Sequence, residues 1–172
     1  MGQDSNNGFE ILQARQCHVE RIMELYAKAR QFMAEHGNPT QWPPTYPSRE
    51  LVERDIQDGH MFVCMTKGRM AAVFYYRAGE DPTYQVIEKG NWLNSQEYGV
   101  VHRITSDGSA RGAASICLEW AWRQCGNLRI DTHEDNVVMQ NLLKKNGFQY
   151  CGIIYVNERE QRLAYQKGPE GR

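Results

Sequence analysis

Apolar positions along this chain follow two periodicities in turn, one suited to strands and one to helices. Phe9-Glu-Ile-Leu-Gln13 is a short apolar run bounded by polar residues and predicts a first strand. From Cys17 to Glu35 the period lengthens. Val19, Ile22, Met23, Tyr26, Ala29 and Met33 recur at helical spacing, and Gly37 stands where a C-terminal cap belongs. The next segment, Asn38-Pro-Thr-Gln-Trp-Pro-Pro-Thr-Tyr-Pro47, carries four prolines and predicts an irregular loop. Ser48 then caps a short second helix that ends near Gly59. His60–Met65 and Met70–Arg77 read as strands around the hairpin signal Thr66-Lys-Gly-Arg69, and Gly79-Glu-Asp-Pro82 stops the second of them.

Residues 83–96 form an irregular connection carrying Tyr84 and Trp92. Beyond it, Tyr98-Gly-Val-Val-His-Arg-Ile104 predicts a strand, and Arg111-Gly-Ala-Ala-Ser115 opens an apolar helix. Leu128–Thr132 is a strand, Asn136–Asn146 is a helix closed by Gly147-Phe148, and Gln149–Val156 and Leu163–Gln166 are the last strands. The order predicts one α/β (α+β) domain over residues 9–167. Its seven-stranded sheet is mixed and mostly antiparallel, with about four helices and one crossover through the helix after residue 111. Residues 1–8 and 168–172 are expected to be flexible tails.

The stretch from Tyr98 to Phe148 is the most informative chemically. The strand breaks at Ser106-Asp-Gly-Ser-Ala110, and the following helix begins with glycine and tiny residues. The first N–H groups of a helix have no intrahelical acceptor and sit at its positive end, so such a start suits an anion, most often phosphate. A plain helix cap has the same local sequence.

Composition narrows the function classes. The chain has 172 residues, 41% apolar and 24% charged, with a formal net charge of −1 and no long basic run, which argues against a dedicated nucleic-acid binder. No apolar run approaches the roughly 18–20 residues of a membrane helix, and no membrane partner is expected. Met1-Gly-Gln-Asp-Ser-Asn-Asn7 lacks the apolar core of a signal peptide, so a cytoplasmic location is expected. The cysteines at 17, 64, 117, 125 and 151 have no metal-ligand spacing and read as reduced thiols; no metal site is predicted.

The segment His102-Arg-Ile-Thr-Ser-Asp-Gly-Ser-Ala-Arg-Gly-Ala-Ala-Ser115, followed by Asn136 through Gly147-Phe148, resembles the GCN5-related N-acetyltransferase (GNAT) superfamily. The element order from Phe9 to Lys167 is also similar to that family's. Gly37-Asn-Pro-Thr-Gln-Trp42 and Ile130-Asp-Thr-His-Glu-Asp-Asn136 look similar to small bacterial members with unassigned substrates. The resemblance implies an acetyl-CoA-dependent N-acetyltransferase that releases CoA and acts on a primary amine of a small molecule or peptide, as a monomer or homodimer.

It also implies roles for residues. Ile104, Thr105 and Ser106 would pair with the pantetheine arm, the strand supplying an N–H to the thioester carbonyl. Arg111, Gly112, Ala113, Ala114 and Ser115 would wrap the pyrophosphate, and Asn136 would contact the cofactor arm. Two departures stand out. Ile116 occupies the place of a final glycine or alanine, and Leu143 occupies the place of the tyrosine that commonly reprotonates the thiolate. Tyr155 is a substitute acid or a core residue. His102 and Glu134 are candidate bases, the first also readable as a strand histidine and the second as a helix-start charge. Trp42, Tyr46, Tyr84 and Trp92 lie on irregular segments and are candidate acceptor-binding residues or loop anchors. The alternative function is a non-catalytic acyl-CoA-binding sensor on the same fold.

Overall fold

The computed structural model describes residues 8–170; of the expected tails, residues 1–7 and 171–172 lie outside the described residues. In chain order the elements are β1 (Phe9–Gln13), α1 (Val19–Glu35), α2 (Arg49–Gln57), β2 (Met61–Thr66), β3 (Arg69–Ala78) and β4 (Gly99–Ser106). Then follow α3 (Ala113–Cys125), β5 (Leu128–Thr132), α4 (Val137–Lys145), β6 (Gln149–Val156) and β7 (Glu160–Lys167). Short 3-10 turns at Gln16–His18 and Pro82–Tyr84 precede α1 and follow β3. The seven strands form one mixed sheet in the order β1-β2-β3-β4-β5-β7-β6. Four helices and this sheet are the predicted fold class.

Two differences from the sequence reading have a common cause. β7 begins at Glu160 rather than Leu163, because Glu160–Arg162 find ladder partners in Ile154–Val156. β7 also lies between β5 and β6 and runs antiparallel to both, so the chain makes a second crossover through α4. Local periodicity marks a helix but does not say beside which strand the chain re-enters the sheet.

The chain clusters into two compact units, one of residues up to Tyr76 with 103–117, the other of residues 77–102 with 118–172. In the first, β1 and β2 pair antiparallel from Phe9↔Thr66 to Gln13↔Phe62, and β2 returns as β3 through Thr66↔Arg69. Ile22, Leu25 and Tyr26 of α1 and Val52 of α2 bury against Met61, Val63 and Val73 of the strands. The Ser48 hydroxyl accepts the Leu51 N–H at 3.1 Å and so starts α2 where the prolines end.

The second unit buries Tyr84, Tyr98, Val100, Ile154 and Ala164 together. Here the long connection before β4 is fastened by side-chain amides. Gln166, 0% exposed, accepts the Leu93 N–H at 2.8 Å and donates to Asn127 Oδ1 at 2.7 Å. Asn127 in turn donates to Asn94 Oδ1 and to the Glu97 carbonyl, each at 2.9 Å. The connection also bridges to β6 at Glu88↔Ile153, where a Cβ on Gly90 would stand 1.9 Å from the Cys151 carbonyl oxygen. Only glycine allows that approach.

Gln166→Ala removes the acceptor of the Leu93 N–H and the shorter of two donors to the Asn127 amide oxygen, and empties a fully buried site, a loss of about 2–4 kcal/mol. Thermal unfolding should show Tm lowered by roughly 5–15 °C, whereas Gln96→Ala at an exposed position should shift it by no more than about 2 °C.

Candidate active site

β4 and β5 run parallel and pair at Gly99↔Leu128 and Val100↔Arg129. Among the described residues the ladder stops there. His102 and Asp131, which would oppose one another two residues further on, therefore stand across an unpaired stretch of the second unit.

His102 is held from the connection that follows β3. Its Nε2 lies 2.8 Å from Asp81 Oδ2. Asp81 Oδ1 accepts the Thr83 N–H at 2.9 Å and the Thr83 hydroxyl at 2.6 Å, and the Asp81 N–H donates to the Tyr98 hydroxyl oxygen at 3.0 Å. Burial alone would raise this carboxyl. The hydrogen bonds from His102 and Thr83 outweigh it and hold Asp81 well below the usual carboxylate range. An ionised carboxylate only accepts, so Nε2 donates, and in the neutral tautomer that this fixes Nδ1 is the nitrogen with the lone pair.

That Nδ1 lies 4.0 Å from Asp131 Oδ1, and the same oxygen accepts the Tyr84 hydroxyl at 2.6 Å. Burial, with the Asp131 charge beside it, pushes the Tyr84 hydroxyl well above its ordinary pKa, so it stays a neutral donor. Trp92 Nε1 donates to the Tyr84 carbonyl at 2.8 Å. Tyr84 and Trp92 also line an open groove of about 710 Å3 with Glu80, Glu97 and Arg129. The Arg129 guanidinium sits 4.3 Å from the Trp92 ring centre and 4.0 Å from that of Tyr98.

The other residues expected near the chemistry lie apart from this network. The Tyr155 hydroxyl donates to Glu88 at 2.9 Å, and that bond raises its pKa. Glu134 is exposed, its carbonyl accepting from Gln140 Nε2 at 2.8 Å. Asn136 caps α4, its Oδ1 accepting the Met139 N–H at 3.1 Å. Leu143 is 0% exposed core. Sequence reasoning missed Asp81 and Asp131. The first reads as a turn residue in Gly79-Glu-Asp-Pro82, and the second as a polar position of a strand.

The first unit carries the turn into α3. Ile104, Thr105 and Ser106 end β4, and the loop beyond is anchored by Asp107. Its N–H donates to the Ala71 carbonyl at 3.0 Å, and its carboxylate pairs with Arg21 at 2.7 Å and accepts the Ser109 N–H at 2.9 Å. Arg69 donates to the Ser109 carbonyl at 3.1 Å. Gly112 has φ +85°, yet a Cβ there would meet nothing within 4 Å. Glycine is thus needed for the backbone angle, and the space beside the turn is open. The first bond of α3 is Ile116 N–H to the Gly112 carbonyl at 3.0 Å; Ile116 is half-buried and Arg111 exposed.

Arg103, directly after His102, has φ +51°, an unusual left-handed residue within a strand. Its guanidinium pairs with Asp55, donates to the Tyr46 hydroxyl at 3.2 Å and lies 5.1 Å from the Tyr75 ring centre. Tyr46 packs edge-on to Trp42 at 5.7 Å, and Trp42 to Tyr26 at 5.6 Å. The four candidate acceptor aromatics thus form two pairs, Trp42 with Tyr46 in the first unit and Tyr84 with Trp92 in the second.

No protein-family model matches the chain, and none of the curated proteins matches it. Solved structures do. The crystal structure of a GNAT-family acetyltransferase from Streptococcus agalactiae 2603 is 34% identical, covers 95% of this chain and 97% of its own, and superposes with a TM-score of 0.87. This chain belongs to the GNAT family of acetyltransferases. An agmatine N-acetyltransferase in its apo form shares the GNAT fold at TM-score 0.63 and 13% identity, with 93% of this chain and 99% of that one covered. Naa50 of Arabidopsis thaliana, in complex with the bisubstrate analogue CoA-Ac-MVNAL, does so at TM-score 0.60 and 14% identity, with 94% and 99% covered.

Asp81→Asn keeps the shape of this network and removes a charge. The folded carboxyl lies below its unfolded value of about 3.9, so its stabilisation is present above that pH and lost as pH falls through the folded value. The difference in unfolding free energy between wild type and Asp81→Asn should shrink steadily from about pH 5 toward pH 2 in denaturant titrations. A difference that stays constant over that range would separate the charge of Asp81 from stability.

Proposed function

We propose that the protein is an acetyl-CoA-dependent N-acetyltransferase. It moves the acetyl group to a primary amine of a small molecule or peptide by direct attack in a ternary complex. The observation that carries this beyond family membership is the Asp81–His102 pair, a strand imidazole whose proton is fixed on Nε2 by an ionised carboxylate, leaving Nδ1 as the basic nitrogen. An agmatine acetyltransferase and a complex whose analogue joins CoA to a peptide are among the similar folds, which supports an amine acceptor.

CoA fits the first unit. With open space beside the left-handed turn at Gly112, the Arg111–Ser115 stretch at the positive end of α3 would receive the pyrophosphate, and the exposed Arg111 side chain would add charge for it. Ile104 to Ser106 would hold the pantetheine arm. Bound acetyl-CoA supplies the activated thioester. His102 takes a proton from the amine and Asp81 keeps the ring oriented. With Leu143 in place of an acid in α4, the imidazolium that His102 becomes is the proton source closest to hand in the network. Tyr155, tied to Glu88, is not needed for the cycle. Leu143 favours one second reading, an acyl-CoA sensor without turnover.

Calorimetry with acetyl-CoA and thiol release against a panel of amines decide between these. The enzyme should bind acetyl-CoA and release thiol only with amine. His102→Ala should lower kcat about 100-fold or more with acetyl-CoA affinity unchanged, and Arg111→Ala should weaken that affinity about tenfold. Absence of binding at millimolar acetyl-CoA would overturn both readings, and tight binding without turnover would leave the sensor.

A further inference from the structure

We infer that Asp131 docks the ammonium group of the acceptor, and that the acceptor is therefore a protonated alkylamine rather than an uncharged aromatic amine. The inference rests on the acetyltransferase reading above and adds a residue and a substrate class to it.

Asp131 stands on β5 opposite His102, at the pair of positions where the β4–β5 ladder has stopped. Its side chain is 12% exposed and that of His102 29%, so both are largely taken out of water while keeping an open edge. Asp131 Oδ1 takes the Tyr84 hydroxyl at 2.6 Å, a neutral donor. Among the described residues no Lys or Arg pairs with this carboxylate. Around the imidazole stand Asp81 from the β3–β4 connection, Asp131 from β5 and the Tyr84 ring at 6.1 Å, so two carboxylates face it. A half-buried carboxylate with one neutral donor has strong unmet demand for a cation. An alkylammonium entering beside His102 meets that demand with N–H donors, and an aromatic amine, uncharged at neutral pH, does not.

The protons balance. The ammonium docks on Asp131 and gives its first proton to His102 Nδ1. The imidazolium so formed lies between Asp81 at 2.8 Å and Asp131 at 4.0 Å, which stabilise it. The neutral amine attacks the thioester carbon, the C–N bond forms and the C–S bond breaks. The imidazolium gives its proton to the departing thiolate, then takes the second proton from the nitrogen and returns it to solvent.

The test compares propylammonium with propanol, of matching shape and no charge, by calorimetric titration of the CoA-loaded protein at pH 7. Wild type should bind propylammonium at least about tenfold more tightly than propanol. Asp131→Asn, which still offers Tyr84 an oxygen, should abolish that difference, and Asp131→Glu should restore part of it. In turnover with acetyl-CoA, Asp131→Asn should raise KM for propylamine about tenfold or more and leave KM for acetyl-CoA unchanged. Equal binding of propylammonium by wild type and Asp131→Asn, or no preference over propanol in wild type, would overturn the proposal. Binding does not require turnover, so failure of the acetyltransferase reading would show separately, as the absence of thiol release with every amine.

Discussion

A carboxylate withdrawn from water must be met by donors, and the second unit is arranged around meeting those needs of Asp81. Thr83 answers with its N–H and hydroxyl, which closes the 3-10 turn Pro82–Tyr84. That turn drives Tyr84 into the core, where its hydroxyl reaches Asp131 on β5. His102 answers on the other oxygen, and its tautomer follows from the acceptor it meets. One buried charge thus sets the start of a turn, the burial of a tyrosine and the basic nitrogen of an imidazole. Leaving such a carboxylate without its donors costs several kcal/mol, far more than any one surface contact in the connection supplies.

A second constraint operates where β4 continues into the first unit. Arg103 adopts a left-handed backbone in a strand, a conformation that costs of order 1–3 kcal/mol. Its guanidinium is largely buried with Asp55 and Tyr46, and breaking a buried pair costs about 3–5 kcal/mol. Losing the pair costs more than the strain, so the side chain holds the backbone in its left-handed form. Burial raises the Asp55 carboxyl, yet Arg103 opposes the shift. Further along, Asp107 repeats the device with Arg21 and Ser109, and the loop into α3 is fixed before any anion reaches it.

What the sequence made legible was local. Phe9–Gln13, Leu128–Thr132 and Gln149–Val156 have the ends that periodicity assigned them, and Ser48 and Gly112 mark helix starts through their own chemistry. His102 was visible because a titratable ring on a central apolar strand stands out. Asp81 and Asp131 were not, since each has a bland local explanation and acquires its role from a partner far away in sequence. The second crossover was hidden for the same reason: the place of β6 beyond β7 is decided by pairing, not by the pattern of either strand. Tyr155 and Glu134 show the converse. They are chemically suitable types whose surroundings, Glu88 for one and open solvent for the other, carry them out of the network.

The aromatic residues sharpen the question of what recognises an amine. Tyr84 is 1% exposed, so its ring is covered and only its hydroxyl acts, through Asp131. Trp92 has its face taken by the protein's own Arg129 at 4.3 Å, and Tyr98 has the same guanidinium at 4.0 Å. An incoming cation would have to displace a fixed internal one to use either face, for a gain of about 0.5–2 kcal/mol. A hydrogen bond to a charged group is worth about 1.5–3 kcal/mol and needs no such displacement. On the proposed reading, recognition of an alkylammonium in this unit therefore falls to the carboxylate across from His102, and the aromatics serve by holding that carboxylate and the connection behind it in place.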